Sequence, residues 1–100
     1  YNLGIMYEMG RGVPRDEAEA VKWYRKAAKK GNNRVLLHLA TMYSLGKGGP
    51  TDFIKAYMYY YIAADKGDER GVKGRDLHAK LLAPMEILKA QMMAQEWLKE

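Results

Sequence analysis

The sequence has no cysteine, one serine (Ser44) and two histidines, His38 and His78. The missing cysteine excludes a disulfide framework, a thiolate zinc site and a cysteine nucleophile together. A catalytic triad needs its groups within hydrogen-bond reach, and no spacing of Ser44, His38 and His78 provides it, the two histidines being 40 residues apart on different repeats. A zinc site wants three or four donors, yet the positions one turn after His38 are Thr41 and Met42. Neither catalysis nor a bound metal or cofactor is expected. Carboxylate pairs such as Asp16 with Glu17, and Asp68 with Glu69, fall at helix starts, where capping accounts for them. Long apolar runs are also missing. The longest, "AYMYYYIAA" from residue 56 and "VLLHLA" from residue 35, fall well short of the roughly 18 residues of a membrane span. The start shows no initiator methionine, basic segment or cleavage signature, which suggests a piece of a longer protein.

What is present is a modest globular unit of 100 residues, 48% of them hydrophobic, enough for one core. Its net charge of +5 is uneven. Between Lys22 and Arg34 stand Lys22, Arg25, Lys26, Lys29, Lys30 and Arg34, with no acid among them. Such a stretch could meet an anionic polymer or surface. The favoured reading is a solvated helix face, because cations in the last turns of a helix are stabilised by its dipole. Nucleic acid is therefore not the expected partner.

The stretch "SLGKGGPTD" from residue 44 poses the question of a phosphate cradle, and an internal repeat answers it. Shifted by 36 positions, Leu3 meets Leu39, Tyr7 meets Tyr43, Gly10 meets Gly46, Gly12 meets Gly48, Pro14 meets Pro50 and Asp16 meets Asp52. The match runs on through Ala20 and Ala56, Tyr24 and Tyr60, Ala28 and Ala64, Gly31 and Gly67. The upstream counterpart, "EMGRGVPRD", carries Arg11 where the later copy has Lys47, and neither ends in the Gly-Lys-Ser/Thr of a P-loop. The shared Gly-x-Gly-x-Pro-x-Asp is a corner. Glycine ends one helix in the left-handed region, proline fixes the next φ, and aspartate caps the following helix, with Asp16 and Glu19 forming a capping box.

Each copy is then a hairpin of helices A and B. Helix B runs from about residue 16 to 30 and again from 52 to 66, and the second helix A from 33 to 45. Small and apolar residues at 20, 24, 27, 28 and at 56, 60, 63, 64 recur at the helical i, i+4, i+7, i+8 spacing. Tyr7, Trp23, Tyr24, Tyr43, Tyr59 and Tyr60 are expected between layers. The fold class is all-α, an α/α solenoid.

Residues 3–31, with Leu-Gly, Tyr, Gly-x-Gly-Val, Asp, Ala, Trp-Tyr, Ala-Ala and Gly, closely resemble the Sel-one-like repeat of the tetratricopeptide-like class. Residues 35–67 resemble it more loosely, with Ala40, Gly49 and Tyr59 departing from the pattern. The resemblance implies a right-handed superhelix that acts as a non-catalytic scaffold, holding a protein or peptide on the concave surface lined by A helices. It places relatives among exported bacterial proteins and secretory-pathway adaptors, so an accessory segment of a larger enzyme or exported protein is a further alternative. The repeats read as 1–31 and 32–67, the first shortened at its N-terminus, so further repeats are expected upstream. After Gly67 the register fails at Arg75 and Leu82. Residues 68–100 read as a degenerate repeat and C-terminal cap: a helix to about Leu82, then a last one from Pro84. Ile87, Ala90, Ala94 and Trp97 should face inward, with Gln91, Gln95, Lys99 and Glu100 toward water.

Leu36, Leu39, Ala40 and Tyr43 give the second A helix its inward face, so Arg34, Leu37, His38, Thr41 and Leu45 should point the other way. Their counterparts upstream are Tyr1, Asn2, Ile5 and Met9. The apolar members predict a groove for a partner helix or extended peptide.

Overall fold

The computed structural model describes residues 2–99. They form six α-helices and no strand: α1 (Asn2–Met9), α2 (Glu17–Ala28), α3 (Asn33–Leu45), α4 (Phe53–Asp65), α5 (Glu69–Ala79) and α6 (Pro84–Lys99). The helices stack as an α/α solenoid 42 Å long and 25 by 22 Å across.

The helix starts repeat as the sequence does. Asp16 accepts from the Glu19 amide at 3.1 Å, and Asp52 accepts from the Lys55 amide at 3.0 Å. Asn32 accepts from the Arg34 amide at 3.0 Å and Asp68 from the Arg70 amide at 2.9 Å. Each bond satisfies a donor that the first helical turn leaves open. The capping box expected at Asp16 is only half formed. The Asp16 amide donates to the Tyr7 carbonyl at 2.8 Å instead of to Glu19, as the Asp52 amide does to Tyr43 at 2.9 Å. These long bonds lock each corner back onto the helix before it. Gly46 and Gly48 lie at φ 71° and 82°, and a Cβ on Gly48 would stand 2.6 Å from the Glu17 carbonyl oxygen. Glycine is thus needed there for its backbone and because α2 abuts the corner.

The core is a continuous cluster in which Tyr24, Leu36, Leu39, Met42 and Ile62 are fully buried. Removing such side chains from water contributes about 1.5–3 kcal/mol each. Two differences from the sequence reading appear at the far end. Helix α5 stops at Ala79 rather than near Leu82, because Lys80 and Leu81 close a tighter turn onto Leu77 and His78. Gln91, expected toward water, is half-buried and donates to the Tyr57 hydroxyl at 3.3 Å. Glu100 lies outside the described residues. Ala90 and Ala94 are buried on α4, with Ile87 and Trp97 beside them.

Helix α4 is the hub, with α3, α5 and α6 all packed on it, while α5 and α6 make almost no contact with each other. Helices α4 and α5 approach closely at two glycines. A Cβ on Gly71 would lie 2.5 Å from the Ala64 amide nitrogen, and one on Gly74 would lie 2.3 Å from the Tyr60 ring. Backbone cannot rotate aside as a side chain can. Gly71→Ala should therefore destabilise the chain by about 1–3 kcal/mol, although alanine favours helix by up to about 1 kcal/mol. Gly49→Ala, with nothing within 4 Å, should stay within about 0.5 kcal/mol of the parent. Urea unfolding of the two variants makes the comparison.

Candidate functional site

The A helices α1, α3 and α5 turn one stripe away from the core. On α3 it consists of Arg34, His38, Thr41 and Leu45, spaced i, i+4, i+7, i+11. Arg34, Thr41 and Leu45 are exposed and His38 half-exposed, opposite the buried Val35, Leu36, Leu39 and Ala40. The corresponding stripe on α1 is Asn2, Ile5 and Met9. On α5 and the turn after it the same shift gives Arg70, Gly74, Leu77 and Leu81. Met9, Leu45 and Leu81 are 60%, 62% and 55% exposed, and Leu77 is 60% exposed.

Two hydrogen-bonded clusters tie neighbouring A helices beneath this stripe. In the first, Glu8 on α1 accepts from the Tyr24 hydroxyl at 2.6 Å and from His38 Nε2 at 2.9 Å. Tyr24 meets the His38 ring edge-on at 4.8 Å. Burial alone would raise the pKa of Glu8, but the bonds from Tyr24 and His38, with the nearby charges of His38 and Lys47, outweigh it. The net effect holds the carboxyl below the ordinary glutamate range. In the second cluster Ser44 on α3 meets His78 Nε2 at 2.9 Å, and His78 Nδ1 donates to the Gly74 carbonyl at 2.8 Å. With Nδ1 protonated, Nε2 accepts and the Ser44 hydroxyl donates.

The sequence reading had no spacing that joined Ser44 to a histidine, and the fold overturns it. The hydroxyl and the imidazole meet because α5 lays residue 78 against the carboxyl end of α3. Packing explains the pair. His78 is buried between Phe53 at 5.9 Å and Tyr60 at 5.0 Å. Ser44 is the repeat equivalent of Glu8, so both clusters are the same cross-link between successive A helices, with histidine displaced by one turn.

The candidate groove residues divide. Met9 and Leu45 are open, as are Asn2, Arg34 and Thr41. Ile5 and Leu37 are half-buried and packed against the core, which withdraws them from the open apolar surface. Leu37 lies on the flank of the stripe, where α3 meets its neighbours. Thr41 bonds the Leu37 carbonyl at 3.0 Å and approaches the Tyr60 hydroxyl at 3.3 Å. Tyr1 lies outside the described residues. Glu8, Tyr24, Ser44, His78, Leu77 and Leu81 were not singled out for this surface. Carrying the shift of 36 one step further, from Met9 and Leu45 to Leu81, would have found the last of them.

The basic stretch is in part occupied within the chain. Lys22 pairs with Glu19 at 3.5 Å, the Lys26 ammonium lies 4.4 Å over Trp23, and Lys29 lies 4.3 Å over Trp97. No helix among the described residues is long and apolar enough to cross a membrane.

A family model for the Sel1 repeat matches residues 1–32 and 35–68, about two thirds of the chain. Among solved structures, c5321, a protective antigen of uropathogenic Escherichia coli strains with an SLR fold, superposes with a TM-score of 0.88 at 28% identity. The superposition covers 99% of this chain and 21% of that one. A Sel1 repeat protein from Oxalobacter formigenes gives a TM-score of 0.67 at 30% identity, over 96% of this chain and 41% of its own. The chain thus spans less than half the length of either. No protein of curated function matches it.

The Glu8 cluster has a pH signature. Its pKa is lower folded than unfolded, so its stabilisation is complete above the ordinary glutamate value and drains as pH falls through the folded value. Glu8→Gln should be less stable than the parent at neutral pH, and the gap should narrow as pH falls from neutral through the ordinary glutamate value of about 4.3 and below it. Thermal midpoints of both proteins across that range give the measurement.

Proposed function

This chain belongs to the Sel1 repeat family, and from that premise we propose that it is a non-catalytic interaction module holding a helix or extended peptide against its A helices. Sel1 repeats commonly serve as protein-interaction scaffolds. The observation that carries the reading is the recurrence of a large, exposed apolar side chain at one repeat position, Met9, Leu45 and Leu81. A single exposed leucine needs no explanation, but three at one repeat position, Met9 and Leu45 at the ends of α1 and α3 and Leu81 in the turn after α5, with Leu77 beside them, offer a series of apolar anchors. Arg34 and Arg70 stand at the other end of the stripes, so a ligand with regularly spaced apolar anchors and an acidic end fits best. The Asp68 carboxylate, 2.9 Å from Arg70, already holds the second of these in place.

Anion binding through residues 22–34 is the weaker reading, since Lys22, Lys26 and Lys29 are engaged inside the chain. The two readings differ in salt response. Apolar capture changes little with salt, whereas binding through many lysines weakens steeply.

A displayed library of random peptides, selected on the 100-residue chain, tests the assignment. Enriched peptides should carry repeated apolar residues and lose at least about tenfold in affinity for Leu45→Asp, about 1.4 kcal/mol. Leu45 is exposed, so the variant keeps its fold, and its helicity by circular dichroism should be that of the parent. Binding equally strong to Leu45→Asp and Met9→Asp would refute the placement on this face.

A further inference from the structure

Helix α6 is apolar on two sides. Ile87, Ala90, Ala94 and Trp97 pack into the core. The opposite side bears Met85, Leu88 and Met92, which are 75%, 49% and 62% exposed. A helix with one partner needs one apolar stripe, so packing on α4 leaves the second unaccounted for. Along it runs an open groove of about 520 Å³, with Met58 of α4 at its base, Met92, Met93 and Trp97 on its wall, and Lys89 and Glu96 on its rim.

We propose that this groove is where two copies of the chain associate, α6 of one lying antiparallel against α6 of the other. The charges choose that occupant. Lys89 and Glu96 lie two turns apart on the same side of the helix. A two-fold axis passing between Met92 and Met93 sets Lys89 of each copy opposite Glu96 of the other, forming two ion pairs. The same axis brings Met92 and Met93 of the two copies together at the centre of the seam. Parallel pairing would instead put lysine against lysine and glutamate against glutamate, which is repulsive. A surface complementary to itself under a two-fold rotation is what an isologous dimer requires. Glu96 is available for it, being held only by Lys99 at 3.9 Å on the exposed surface among the described residues. Methionine is suited to such a seam, because its flexible thioether adapts to the facing surface.

The contact is small. A helix of 16 residues is about 24 Å long, and one such face covers less than the roughly 800 Å² per partner of a standard interface. Association is therefore weak.

Sedimentation equilibrium of the 100-residue chain, from about 10 µM to about 1 mM, tests the proposal. A monomer–dimer equilibrium is expected. Met92→Glu should be monomeric throughout, and because Met92 is exposed its helicity should be that of the parent. Lys89→Glu and Glu96→Lys should each weaken association by about tenfold. An equimolar mixture of these two variants should recover it as a mixed pair, and the double variant should recover it alone. A parent chain that stays monomeric, or a dimer untouched by Met92→Glu, would overturn the groove as the interface. Single-charge variants that do not recover on mixing would overturn the antiparallel register.

Discussion

A tyrosine ring wedged between successive A helices sets the spacing of this solenoid. Tyr24 reaches out of α2, lies over Gly4, where a Cβ would stand 2.7 Å from its ring, and closes on Glu8 and His38. Tyr60, its equivalent on α4, lies over Gly74 and packs on His78. The glycines are required because a ring occupies the space a methyl would fill. With the ring in place the hydroxyl and the histidines find partners in a region of reduced solvent, where an unpaired polar group would be costly. The wedge thereby fixes where α1, α3 and α5 lie relative to one another.

The sequence held most of this framework in its repetition. The aspartate caps, the left-handed glycines and the buried small residues could be paired across 36 positions because each satisfies a local backbone demand that recurs in every unit. Helix α3 was legible to the residue, since Asn32 and Gly46 mark its ends. The stripe through Arg34, His38, Thr41 and Leu45 was legible for the same reason: helical periodicity alone places it opposite Leu36 and Leu39. Contacts between units were not. Glu8 with His38 and Ser44 with His78 obey the repeat at one partner and break it by a turn at the other, so no fixed offset reveals them. The flanks of the stripe also escaped, because Leu37 is withdrawn by the neighbouring helix rather than by anything within α3. Helix α5 stopped early for a tertiary reason as well, its last turn tightening where the buried His78 is held.

Charge has a structural explanation that needs no anionic partner. The ammonium groups of Lys26 and Lys29 each lie over a tryptophan ring. Such contacts contribute about 0.5–1 kcal/mol at exposed positions. Lys29 also reaches the Trp97 carbonyl at 3.4 Å, joining α2 to α6 across the molecule. The cations between residues 22 and 34 are thus partly a cover over aromatic surface, with the remaining charge turned to water.

The placement of α5 and α6 on α4, and hardly on each other, departs from a simple linear stack. In a linear array each unit leans on the one before, and opening spreads inward from the end like a zip. Here two branches share a single trunk. Either branch can lift while the other stays seated, but neither outlives the trunk. Amide protons of α5 and α6 would then exchange through separate openings, and those of α4 only when both branches and the trunk are lost together.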